Sequence, residues 1–255
     1  MAKIIAITNQ KGGVGKTTTA VNLSAMLADS GKQVLMVDLD PQGNTTSGLG
    51  CTVKNGDSVY DALMGRSNIR DCIQKTAVKK LRLVGSDIRL AGAEVELVSM
   101  DRREFYLKTL LAPLREDYDF ILIDCPPSLS LLTINALTAA DSVLIPIQCE
   151  YYALEGVTSL MNTVTRIRKT INPHLEIEGV LLTMLDGRTN LGIQVVDQVK
   201  KHFRSAVFAT VIPRNIRLGE APSHGLPIHL YDPKSSGAQA YKALAKEVLA
   251  RNRKK

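Results

Sequence analysis

Lys16 and Thr17 close the run Gln10-Lys11-Gly12-Gly13-Val14-Gly15-Lys16-Thr17-Thr18, between apolar Ile4-Ile5-Ala6-Ile7 and a helical pattern carrying Ala20, Leu23, Ala25 and Leu27. An ammonium and a hydroxyl directly behind a glycine-rich turn suit phosphate chemistry. The glycines let the backbone wrap until successive N–H groups converge on one anion. A helix beginning at the turn adds unpaired N–H donors and the positive end of its dipole. Lys16 is then placed for the β- and γ-phosphates of a nucleotide, and the Thr17 hydroxyl for Mg²⁺.

Two carboxylates extend this chemistry. Phe120-Ile121-Leu122-Ile123-Asp124 reads as a buried strand that delivers Asp124 to the phosphate side, where it can hold Mg²⁺ directly or through water. Gln33-Val34-Leu35-Met36-Val37-Asp38 is a second buried strand, and it runs into Leu39-Asp40-Pro41-Gln42-Gly43-Asn44. Pro41 and Gly43 force a loop there. A carboxylate leaving the end of a parallel strand lies where ligands bind in such sheets. Asp-Pro-x-Gly would equally justify a turn aspartate at Asp40.

The elements that must position these groups follow from the apolar pattern. Further strands are expected at 81–84, 142–147, 177–185 and 207–212. Helices are expected after the glycine-rich turn, over a short stretch near 59–64, and at 91–97, 154–169, 193–203 and 236–251. Strands alternating with helices predict an α/β fold, a mainly parallel twisted sheet flanked by helices on both faces. Residues 1–255 are expected to form one domain ending in a short basic tail, Arg251-Asn252-Arg253-Lys254-Lys255.

Composition narrows the partners. The net charge of +7 fits either a basic solvated surface or an acidic partner such as nucleic acid or anionic lipid. Aromatic content is 4% with no Trp, which argues against base stacking on single strands and leaves phosphate contacts to dominate any DNA binding. No apolar run approaches the ~20 residues that span a bilayer. The N-terminus reads as the first strand rather than as a secretion signal. Cys51, Cys72, Cys125 and Cys149 are widely spaced without a C-x-x-C pair and are expected to be reduced thiols. The C-terminal helix has a modest apolar side without Phe or Trp, which favours docking on the domain over lying in a membrane surface.

The glycine-rich turn departs from the common G-x-x-x-x-G-K-[ST] loop, which would place glycine where Gln10 stands. The order Lys11-Gly12-Gly13-Val14-Gly15-Lys16-Thr17-Thr18 resembles the deviant Walker A motif of the ParA/MinD family of P-loop ATPases. That resemblance implies ATP and Mg²⁺ as cofactors, with residues Lys11 to Thr18 around the nucleotide. It implies that Lys11 reaches across an ATP-sandwich homodimer, that Asp40 orients the attacking water, and that Lys16 is catalytic with them. Asp124 resembles a Walker B aspartate and would share Mg²⁺ with Thr17. Pro213-Arg214-Asn215 resembles the family's adenine-contacting corner, through Pro213 and Asn215.

The likeness covers essentially the whole chain. Leu132 to Leu137, Gln148 to Gly156 and Ala221 to Gly225 look like chromosomal partition ATPases of the Soj/ParA type. Arg188 and Arg217 coincide with positions where that group carries DNA-binding arginines. The glycine-rich turn begins at residue 10, without the N-terminal helix-turn-helix extension of larger plasmid-borne relatives, so sequence-independent double-stranded DNA binding is expected. The implied function is chromosome or plasmid segregation, with hydrolysis stimulated by a ParB-like partner and a cytoplasmic, nucleoid-associated location. A MinD-like membrane-associated ATPase is the alternative. A reductase like the nitrogenase iron protein would need a second cluster cysteine to match Cys125.

Overall fold

The computed structural model describes residues 1–54, 56–150 and 155–253. Tyr151 to Leu154, within the family-like segment and at the expected helix start, lie outside these residues, as do tail residues Lys254 and Lys255.

The chain opens with β1 (Lys3–Ile7), α1 (Lys16–Asp29) and β2 (Val34–Asp38). Two short helices follow, α2 (Asn44–Gly48) and α3 (Val59–Leu63), then β3 (Ile73–Lys75) and β4 (Leu81–Val84). Next come α4 (Leu90–Val98), α5 (Tyr106–Leu111), β5 (Phe120–Asp124), α6 (Leu131–Ala139) and β6 (Ser142–Gln148). The last part holds α7 (Glu155–Thr170), β7 (Glu176–Leu185), α8 (Asn190–Phe203), β8 (Val207–Pro213), α9 (Ile216–Glu220), α10 (Ile228–Tyr231) and α11 (Ser236–Arg251).

The strands form one eight-stranded sheet in the order β3-β4-β2-β5-β1-β6-β7-β8. All neighbours are parallel except β3, which runs antiparallel to β4 at one edge. The inner strands read as unbroken apolar runs because both their faces are covered. Alternate side chains go to opposite faces. Ile4, Ala6, Leu35, Val37, Ile121 and Ile123 pack under α3 to α8. Ile5, Ile7, Val34, Met36, Leu122 and Leu144 pack under α1 and α11. Leu23 and Leu27 of α1 are fully buried in that second layer, so truncating either to Ala should cost about 2–5 kcal/mol.

Edges carry unpaired backbone groups that invite other chains. At the β8 edge, α11 meets that demand. The Glu247 carboxylate accepts from the N–H groups of Ala209 and Thr210 at 2.9 and 3.0 Å. Arg251 donates to the Val207 carbonyl at 3.1 Å while stacking over Phe208. Tyr241, Leu244, Ala245 and Val248 bury the apolar side of α11 in the core, which answers the docking expectation for this helix.

The strand order reverses about β1, whose neighbours are β5 and β6. In an open parallel sheet such a switch point leaves a crevice at the carboxyl ends of the strands. The glycine-rich turn, Asp38, Asp40 and Asp124 all leave strands at that end.

Candidate nucleotide site

The turn between β1 and α1 is shaped to leave donors free. Gly15 takes φ +88° at the start of α1 and no side chain caps the helix. The first N–H groups of an uncapped helix have no intrahelical partner and point at whatever occupies the loop mouth. Thr183 Oγ1 donates to the Val14 carbonyl at 2.8 Å, which braces the loop from β7. Asn9 accepts from the Lys11 N–H at 3.1 Å and donates to the Pro146 carbonyl at 2.7 Å, which braces it from β6. The buried Lys16 ammonium donates to the Lys11 carbonyl at 3.1 Å, folded back on its own loop. Burial lowers its pKa below the ordinary lysine range, against the pull of Asp124, Cys125 and Asp40. A multiply charged anion in the loop would restore that charge.

Facing the loop are the two strand-end carboxylates. Asp38 and Asp124 are register partners on β2 and β5, and both are fully buried. Burial pushes both pKa values up; Asp38 raises Asp124 further, and Asp40 adds to both. What holds them is the short helix α2. Thr46 gives its N–H and its hydroxyl to Asp38 at 2.8 and 2.7 Å. The Thr45 hydroxyl donates to Asp124 Oδ2 at 2.7 Å. Asp124 Oδ1 keeps no hydrogen-bond partner among the described residues. A buried carboxylate oxygen without a donor, with the Thr17 hydroxyl acting on the same carboxyl, is a hard oxygen pair of the kind Mg²⁺ takes beside phosphate oxygens. The residues present fit the cation.

Asp40 is buried at the start of the same loop, where its carboxylate accepts from the Gln42 N–H at 2.9 Å. Gly43 opens α2 at φ +62°, and a Cβ there would come within 2.9 Å of the Ser86 carbonyl. The loop forced by Pro41 and Gly43 therefore tightens into a helix that the apolar pattern did not signal. Asp38, Thr45 and Thr46 are the polar residues missed in the sequence. Asp38 stood in view in the Asp-x-Asp pair, and the threonines announce nothing without their long-range partners.

The structure brings Lys16, Thr17, Asp40 and Asp124 into one crevice. Pro213 and Asn215 stand beside it. With Gly15, Thr18, Met184 and Tyr241 they line a cavity of about 190 Å³ next to the loop. Asn215 is also structural, because it caps α9 through the Leu218 N–H and donates to Ser236 at 2.7 Å. Lys11 is half-buried and makes no ion pair among the described residues. Among the described residues, a Cβ on Gly12 or Gly13 would meet nothing within 4 Å.

Arg188 and Arg217 lie apart from the crevice, beyond β7 and β8, whose ends Leu185 and Pro213 are paired. Arg188 is 89% exposed in its side chain and forks onto Asp186 at 2.7 and 2.9 Å. Arg217 reaches Glu220 at 2.7 Å and Asp232 at 3.6 Å. The cysteines carry no pairing among the described residues. Cys72, Cys125 and Cys149 are buried, and burial raises each thiol well above its ordinary pKa.

Residues 2–177 match the protein family described as AAA domain. Over 251 residues the chain is 62% identical to the sporulation initiation inhibitor protein Soj of Bacillus subtilis (strain 168), covering 98% of this chain and 99% of that one. It is 52% identical to the chromosome partitioning protein ParA of Myxococcus xanthus (strain DK1622), covering 99% of this chain and 89% of that one. Among solved structures it resembles cobyrinic acid a,c-diamide synthase from Mycobacterium smegmatis with bound ADP and magnesium. There the TM-score is 0.85 at 39% identity, over 96% of this chain and 93% of the other.

Proposed function

The chain belongs to the AAA-domain family and to the ParA/Soj group of chromosome-partitioning proteins, and from this we propose that it works as an ATP-gated switch in DNA segregation. It is an ATPase that uses Mg²⁺. The observation that carries the site assignment is the orphaned, buried Oδ1 of Asp124 opposite the uncapped start of α1. A cation and an anion are both called for within one crevice.

In this reading the backbone of Gly12 to Thr18 wraps the phosphates, and Lys16 leaves the Lys11 carbonyl for the β/γ-phosphate oxygens. Thr17 and Asp124 would hold Mg²⁺, which when bound would supply charge neutralisation at the phosphates. Asp40, held by the Gln42 N–H, orients the attacking water. Pro213 and Asn215 take the adenine. Lys11 serves the nucleotide of a second subunit, a role supported by an ammonium without an ion pair and by the open space over Gly12, both among the described residues. The closed homodimer presents Arg188 and Arg217 to DNA phosphates irrespective of sequence. A ParB-like partner stimulates hydrolysis, after which the subunits part and leave the nucleoid. Among the described residues no helix is long and apolar enough to cross a membrane, and the apolar side of α11 is already occupied by the core.

Light scattering with ADP, ATP and a slowly hydrolysed analogue tests the switch. A dimer is expected with ATP and the analogue and a monomer with ADP. One oligomeric state in all three would overturn the proposal.

A further inference from the structure

Met184 has φ +53°, in the left-handed region that costs a side chain free energy. It sits in a break of the ladder. Leu182 pairs with Val211 and Leu185 with Pro213, so three steps on β7 face two on β8. One extra residue on β7 makes this a β-bulge, a feature that re-aims side chains near functional sites. The consequence is visible at the loop. Successive strand residues ordinarily point to opposite faces, yet Thr183 and Met184 both converge on Gly15. A Cβ built there would lie 3.7 Å from Thr183 Cγ2 and 3.9 Å from Met184 Cε. Thr183 uses the position to hold the Val14 carbonyl. Met184 makes no side-chain hydrogen bond among the described residues. Its thioether instead walls the cavity of about 190 Å³ shared with Thr18, Pro213 and Asn215.

We infer that Met184 is a specificity-determining residue: the bulge turns its thioether onto the face of the nucleotide base. Resting on the nucleotide reading above, this adds what would reward the base itself. A polarizable sulfur packs well against an aromatic ring, whereas a strained methionine with nothing to contact has no reason to keep its backbone conformation.

The test measures binding of Mg-ATP and of Mg-tripolyphosphate, which lacks a base, by calorimetry on the full chain. Wild type, Met184→Leu and Met184→Gly are compared, with thermal unfolding alongside. Met184→Gly relieves the left-handed strain, so it should fold at least as well as wild type. Its ATP affinity should fall about three- to tenfold while tripolyphosphate affinity stays unchanged. Met184→Leu, which fills a similar volume, should stay within about twofold of wild type for both. Unchanged ATP affinity in Met184→Gly would overturn the inference, leaving the bulge as a brace for the loop. An equal loss for both ligands would overturn it too, because Met184 would then act on the phosphates through the loop. If wild type bound neither ligand, the nucleotide reading itself would fall.

Discussion

The crevice at the centre of the sheet and the arginine-bearing edge beyond β7 and β8 are built on opposite principles. In the crevice three charged groups are buried and held: Asp38 by Thr46, Asp124 by Thr45, and Lys16 by the Lys11 carbonyl. At the edge the arginines are exposed and paired with surface carboxylates, Arg188 with Asp186 and Arg217 with Glu220 and Asp232. Exposed pairs of this kind are worth roughly 0–1 kcal/mol, so a phosphate can take an arginine from its partner at little cost. Buried charges are different. Desolvation penalises them until a ligand of opposite sign arrives. The centre is therefore arranged to change state when a nucleotide binds, and the edge to bind and release a polyanion without any change of fold.

The strongest way to break this contrast is Lys16→Ala. ATP affinity should drop by about a hundredfold or more, because the phosphates lose a desolvated cation. Stability without nucleotide should hardly move, since burial already disfavours the ammonium. Calorimetry with Mg-ATP, paired with thermal unfolding, checks both. A large stability loss with ATP affinity intact would make Lys16 a structural residue.

Asp40→Ala should come next. It should bind ATP normally and slow single-turnover hydrolysis by about 10²–10⁴-fold, the range of a positioned proton acceptor. Turnover per folded molecule that stays at the wild-type rate would reduce Asp40 to a turn residue.

Gly12→Val sharpens the contrast from the other side. Among the described residues of one subunit a Cβ at Gly12 meets nothing within 4 Å, so folding and nucleotide binding should survive. If a second subunit approaches there, the ATP dimer should be lost by light scattering. A normal dimer would remove Gly12 and Lys11 from the interface.

The smallest effects belong to the edge. Arg188→Glu or Arg217→Glu should leave the ATP dimer intact and weaken every duplex alike. The log–log salt slope should shrink by about 0.9 per lost phosphate contact, counted twice in a dimer. Unchanged DNA affinity would move the surface elsewhere, and lost dimerisation would recast the arginine as an interface residue.

How much of this was legible in the sequence follows the same division. β1, β2 and β5 are covered on both faces, so their apolar runs ending at the turn, Asp38 and Asp124 were plain. Exposed edges speak less clearly. Ile73-Gln74-Lys75 forms β3 with only three residues and no apolar alternation. Helix α5 is six residues long and its buried members are just Leu107 and Leu111, too few for a helical period to declare itself. Helix α6 is apolar on most sides, which blurs its face. The grip of Thr45 and Thr46 on the carboxylates spans 79 and 8 residues of chain, a distance no local pattern encodes. Met184 is hidden for another reason, since methionine is not a residue that advertises a left-handed backbone.

Coupling between the two regions is what the account most depends on, and binding to random-sequence duplex DNA with ADP, ATP and a slowly hydrolysed analogue measures it directly. Tight, salt-sensitive binding with ATP and the analogue, and weak binding with ADP, is the expected result. Equal affinity in all three nucleotide states would contradict it, because the arginine edge would then be independent of the crevice.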